Sequence, residues 1–177
     1  MPSQETPKST PQNTISNPPI FSAIVKFFTE DNWSFTKLKK QSALRLSFKG
    51  KNERCDCYAQ AREEQQQFIF YSVCPTQVPK PKRRAVGEFL SRVNYGQIIG
   101  NFELDFIDGE IRYKTSICVN KNSLTSEEIK DLVYINVMMM DRYLPGIRFV
   151  MSGDMSPEEA IAEIENQAEL RISKYVG

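Results

Sequence analysis

The sequence predicts an α+β domain, an antiparallel sheet with helices packed against it. Three patterns predict it. Apolar residues alternate with polar ones along residues 43–61, as on strands with one buried face. Asp108-Gly109 separates two further alternating runs, a strong hairpin signal. Apolar residues at helical spacing recur near residues 20–28, 86–93, 129–151 and 161–168.

Composition is consistent with this class. The chain has 177 residues, 40% of them hydrophobic and 25% charged, which suits one domain plus a tail. Residues 1–18 are mostly Pro, Ser, Thr, Gln and Asn and are expected to be a disordered tail, with the domain spanning 19–177. The net charge of +1 argues against a bulk electrostatic grip on nucleic acid or anionic lipid. No stretch reaches the roughly 20 apolar residues of a membrane helix, and the N-terminal residues lack the apolar core of a secretory signal. No membrane association is therefore expected, and the cytoplasm is the expected location.

The elements follow in order. Asn17-Pro18-Pro19 starts a first helix with Ile20, Phe21, Ile24, Val25, Phe27 and Phe28 on its apolar face, ending near Asp31-Asn32. Trp33 to Leu38 is a short strand or an irregular lead-in. A strand with Leu44, Leu46 and Phe48 on one face turns at Gly50-Lys51-Asn52 into another running from Arg54 to about Ala61. Phe68 to Cys74 is apolar at nearly every position, as expected of a central strand covered on both faces. A helix from about Lys82 to Val93 ends at Gly96.

Residues 98–118 follow as a hairpin. A two-residue Asp108-Gly109 turn would set Asp105 opposite Arg112, Glu103 opposite Lys114 and Phe102 opposite Thr115. Glu103 and Asp105 would then be ion-paired surface residues, not a catalytic carboxylate pair. Thr125 and Glu128 form a capping-box pattern, with Leu124 and Ile129 at staple positions. The helix they open has Leu132, Ile135 and Met139 on its core stripe and breaks or kinks at Pro145. Ser156-Pro157 opens a last helix with Ile161, Ile164 and Ala168 inward, and Leu170 and Ile172 extend that contact.

The absence of histidine removes Ser-His and Cys-His nucleophiles and every histidine metal site. Cys55, Cys57, Cys74 and Cys118 are expected to be free thiols, with Cys55 and Cys57 as small buried hydrophobes on one strand face. No nucleotide-binding, hydrolase or calcium-loop motif occurs. No catalytic residue, cofactor site or metal site is assigned, and the chain is expected not to be an enzyme. The basic run Lys80–Arg84 precedes a helix N-terminus, where cations oppose the macrodipole.

The runs NYGQIIGNFELDFIDGEIRYKTSI and GDMSPEEAIAEIE resemble the bacterial YbjN family of sensory transduction regulators. The resemblance implies a fold like that of type III secretion chaperones: helix, three strands, helix, two strands and C-terminal helices. It implies capture of a protein partner, and a homodimer fits the family shape. Phe89 and Leu90 on the second helix are the expected partner surface, with Lys82, Arg83 and Arg84 as accompanying candidates. The alternative is a nucleic-acid-binding regulator using residues 80–84. It is the weaker reading, because no aromatic residues interleave with those cations.

Overall fold

The computed structural model describes residues 19–119 and 123–176, with side chains as far as residue 166. Helix α1 (Ile20–Glu30) is followed by strands β1 (Phe35–Lys37), β2 (Ala43–Lys49), β3 (Arg54–Arg62) and β4 (Gln67–Val73). A short 3-10 turn (Lys80–Lys82) leads into α2 (Arg83–Tyr95), then β5 (Asn101–Leu104), β6 (Ile111–Cys118), α3 (Ser126–Ser152) and α4 (Pro157–Val176). The strands form one antiparallel sheet in the order β1-β2-β3-β4-β6-β5. This is the expected α+β architecture, with Phe35–Lys37 a true edge strand that makes four strands before α2. The expected tail, residues 1–18, lies outside the described residues.

One sheet face builds the core. Leu44 and Leu46, Cys57 and Ala59, Phe68 and Phe70, Ile111 and Tyr113, and Phe102 are all buried there against the helices. β4 corrects an expectation: it is central, but its second face is not covered, and Tyr71 and Val73 on that face are half-buried. Its apolar content reflects a half-exposed outer surface, not a second helical layer.

Helix α1 begins at Pro19, which offers no side chain to its free N–H groups. Glu63, from the β3–β4 hairpin, accepts from Ile20 N at 3.1 Å and Phe21 N at 2.8 Å instead. Helix α3 has the expected capping box between Thr125 and Glu128, with Leu124 and Ile129 buried beside it. It does not break at Pro145: the 27-residue helix continues to Ser152 with the proline inside. Its core stripe is Val133, Val137, Met140, Leu144 and Ile147, while Leu132, Ile135 and Met139 are only half-buried. The three consecutive methionines therefore divide: Met140 is in the core and Met138 is 64% exposed.

The β5–β6 hairpin also departs from expectation. Leu104 pairs with Ile111, Phe102 with Tyr113, Glu103 with Arg112 and Asn101 with Lys114. Asp105 does not face Arg112, and Phe102 does not face Thr115. The turn is a four-residue loop, 106–109, closed by Asp105 N to Glu110 O at 2.9 Å and Gly109 N to Asp105 O at 2.8 Å. Asp105 Oδ1 accepts from Ile107 N, an Asx turn that competes with the two-residue turn. Gly109, at φ +87°, packs so closely that an added Cβ would lie 2.3 Å from the Val78 carbonyl oxygen. Because the register moves by two residues, each side chain keeps its face.

Candidate functional site

Half of the basic run is absorbed by the fold. Arg83 donates to the carbonyls of Val78 (3.0 Å), Phe106 (2.9 Å) and Ile107 (3.0 Å), tying the hairpin loop to the start of α2. Lys82 places its ammonium against Gly153, the left-handed C-cap of α3, where a cation meets the negative end of that helix dipole. Arg84 and Lys80 stay exposed. Phe89 and Leu90 are 0% and 3% exposed. The Phe89 ring lies edge-on to Tyr143 at 6.5 Å and abuts Gly146. The face of α2 expected to meet a partner is thus covered by this chain's own α3 and α4.

The carboxylates of the hairpin are engaged as well. Glu103 is bonded to Arg112 Nε at 2.7 Å and to the Lys114 ammonium. Partial burial opposes its ionisation, but those two hydrogen bonds outweigh it and hold its carboxyl below the usual range. Glu103, Asp105 and Glu110 line one open recess of about 380 Å³ beside Arg112. Glu103 is held by its cations there and Asp105 by its own turn. Cys55, Cys57 and Cys74 are buried, Cys118 is exposed, and all four are free thiols. Cys55 and Cys57 lie with sulfurs 3.9 Å apart, and the Cys55 neighbour together with burial pushes the Cys57 thiol up.

The feature that sequence reasoning missed is an exposed apolar surface around the end of α2. The expected hairpin strand included Ile98 and Ile99, but β5 begins only at Asn101. Ile98 is 98% exposed, Tyr95 97% and Ile99 42%. Their backbone is fixed. Tyr113, buried at the centre of β6, donates its hydroxyl to the Ile99 carbonyl at 2.6 Å. Gly100, at φ +83°, passes so close to Lys114 O and the Tyr113 ring that a Cβ would lie 2.7 Å from each.

An open groove of about 500 Å³ lies beside this loop, lined by Ile98, Ile99, Ile135, Met139 and Tyr143, with Arg142 and Glu165 among its charged residues. It shares Arg92, Tyr95 and Glu165 with a second groove of about 550 Å³ that runs toward Ile161 on α4. Asn94 closes the adjacent sheet edge: its side chain accepts from Phe102 N at 2.8 Å and donates to Phe102 O at 3.0 Å. Strand addition at the middle of β5 is thereby blocked. The sequence signal was the apolar pair Ile98-Ile99 between two glycines, Gly96 and Gly100.

Comparison with known proteins agrees with the fold. The family model YbjN, described as "Putative bacterial sensory transduction regulator", matches residues 22–149. Among solved structures the chain is similar to "YbjN, a putative transcription regulator from E. coli". That match has 15% identity and a TM-score of 0.52, and covers 74% of this chain and 87% of that one. It is also similar to the ExsC-ExsE complex, at 12% identity and a TM-score of 0.51, covering 71% of this chain and 92% of that one. At such identities the likeness shows the fold. No curated protein matches the chain.

Proposed function

Because the chain belongs to the YbjN family, we propose that it is a non-catalytic protein-binding module that docks an apolar segment of a partner protein in the groove beside Ile98. The observation that supports this most is the near-complete exposure of Tyr95 and Ile98 on a backbone locked by Tyr113. Large apolar side chains clustered in this way have no role in this chain's own core, and exposed apolar patches mark interaction surfaces. The cluster combines an aromatic anchor, aliphatic pockets and a charged rim, the composition of an interface hot spot. Rigidity of the loop lowers the ordering cost of binding.

The ExsC-ExsE structure, similar in fold, is itself a complex of two proteins, which agrees with the reading. Among the described residues no helix is long and apolar enough to cross a membrane. The free thiols agree with a reducing compartment, and the cytoplasm is the location this reading adopts.

The full chain immobilised as bait tests the reading. From a lysate of the native host it retains a specific protein, Ile98→Asp loses it, and Ile107→Asp, at an exposed position outside the groove, keeps it. Equal recovery by Ile98→Asp and the unsubstituted chain, or no specific recovery by a folded bait, overturns it.

A further inference from the structure

The sheet face away from the helices is uncovered, and only Ala43 and Ile69 among its strand positions are buried. The strand registers place a row of side chains straight across it: Arg45 opposite Tyr58, Tyr58 opposite Tyr71, and Tyr71 opposite Lys114. Two half-buried tyrosines thus sit side by side on the two central strands, with a cation beyond each. The Arg112 guanidinium lies over the Tyr71 ring, 4.6 Å from its centroid. An open groove of about 270 Å³ crosses this spot, floored by Tyr58, Tyr71 and Val73, with Arg112 and the carboxylate Glu110 at its side.

Charge on this face is lopsided. Outward strand positions hold six cations, Arg45, Lys49, Arg54, Arg62, Arg112 and Lys114, against two carboxylates, Asp56 and Glu103. That is an excess of four on a chain whose net charge is +1. Arg45 is paired with Asp56, and Glu103 takes both Arg112 and Lys114. Lys49, Arg54 and Arg62 make no ion pair among the described residues, so they add nothing to the fold by charge pairing.

We propose that this open face binds single-stranded nucleic acid, with Tyr58 and Tyr71 stacking about two bases and the surrounding cations holding phosphates. Aromatic rings on the central strands of an open antiparallel sheet offer flat surfaces to unpaired bases. The cations supply a salt-sensitive backbone grip that needs no sequence-specific contact. An acidic protein segment would use the same charges, but the two neighbouring tyrosines in the middle of the sheet favour bases, and poly-glutamate is the control that separates the two. The site is distinct from the basic run at 80–84 and from the groove at Ile98.

Fluorescence anisotropy of labelled oligo(dT) and oligo(U) with the full chain tests the proposal. Binding is expected at about 50 mM salt, falling at least tenfold by about 200 mM. Tyr58→Ala with Tyr71→Ala weakens it about tenfold or more, whereas Tyr58→Phe with Tyr71→Phe retains it. Lys49→Glu with Arg62→Glu, at exposed positions, abolishes it without lowering thermal stability. Lys80→Ala with Arg84→Ala leaves it unchanged. No binding at low salt, loss through Lys80 and Arg84 instead, indifference to the tyrosines, or binding of poly-glutamate in place of the oligonucleotides overturns the proposal.

Discussion

Asn52 donates its side-chain amide to the carbonyl of Asp141 at 2.7 Å, and that carbonyl is the one Pro145 leaves without its helical donor. The Asp141 carboxylate also accepts from Lys51 N at 3.1 Å and Asn52 N at 2.9 Å. The β2–β3 turn therefore docks onto the gap in α3. An added Cβ at Gly50 would lie 2.1 Å from Asp141 Oδ1, so a side chain there would push that carboxylate aside. Helix α3 survives its internal proline because a distant turn supplies the missing hydrogen bond.

This arrangement predicts a coupling. Asn52→Ala costs about 1 kcal/mol, and Asp141→Ala, which loses two charge-assisted bonds, about 2 kcal/mol. In a Pro145→Ala background the helix regains its own donor, so Asn52→Ala costs only a few tenths of a kcal/mol. Urea unfolding of the double-mutant cycle measures it, and an undiminished cost in that background contradicts the account.

Asn136 is fully buried in α3 and joins it to the sheet. Its amide donates to Phe70 O at 3.1 Å, Tyr113 O at 3.0 Å and Thr115 Oγ1 at 3.2 Å, and its oxygen accepts from Ser72 Oγ. Asn136→Ala is expected to destabilise by about 3 kcal/mol, because several buried groups lose their partners together. Asn136→Asp is expected to be at least as harmful, since it sets a carboxylate against two carbonyl oxygens. Thermal unfolding checks both, and an aspartate that melts like the asparagine refutes the donor role.

The thiols predict a simple labelling pattern. Cys118 is exposed and reacts with a thiol reagent in the folded chain, while Cys55, Cys57 and Cys74 react only after denaturation. Burial pushes the Cys74 thiol up, which slows it further. Mass spectrometry after brief labelling reads the count as one fast and three slow.

Burial, with a smaller contribution from Tyr143, pushes the Tyr113 hydroxyl up to about 12, from an unfolded value of about 10. A group whose folded value is raised contributes its stability fully below the unfolded value and loses it as pH rises through the folded one. The stability advantage of the chain over Tyr113→Phe therefore shrinks between about pH 10 and 12. Denaturant unfolding of both chains across that range tests this, and a constant difference contradicts it.

Much of the fold was legible because its signals are local. Alternation at Leu44–Phe48 and Cys55–Ala61 set the strand faces, and Thr125 with Glu128 set the start of α3. What was hidden depends on partners far along the chain. The hairpin register turns on Arg83 and Val78 holding residues 106–109, and the continuity of α3 on Asn52. Asn136 sits among apolar neighbours with nothing in its own segment to show that Ser72 and Thr115 await it. The exposed groove was hidden for the opposite reason: Ile98 and Ile99 read as the start of the hairpin until Tyr113 and Gly100 fix them outside the ladder.

A photo-crosslinking amino acid installed at Ile98 of the full chain, and separately at Glu30 on the exposed end of α1, compares the groove with an indifferent surface in living cells of the native host. The account predicts one discrete protein adduct at position 98, absent at position 30 and competed away by Tyr95→Asp in the same chain. Adducts of equal identity and yield at both positions, or none at position 98 in a folded and expressed chain, would contradict it.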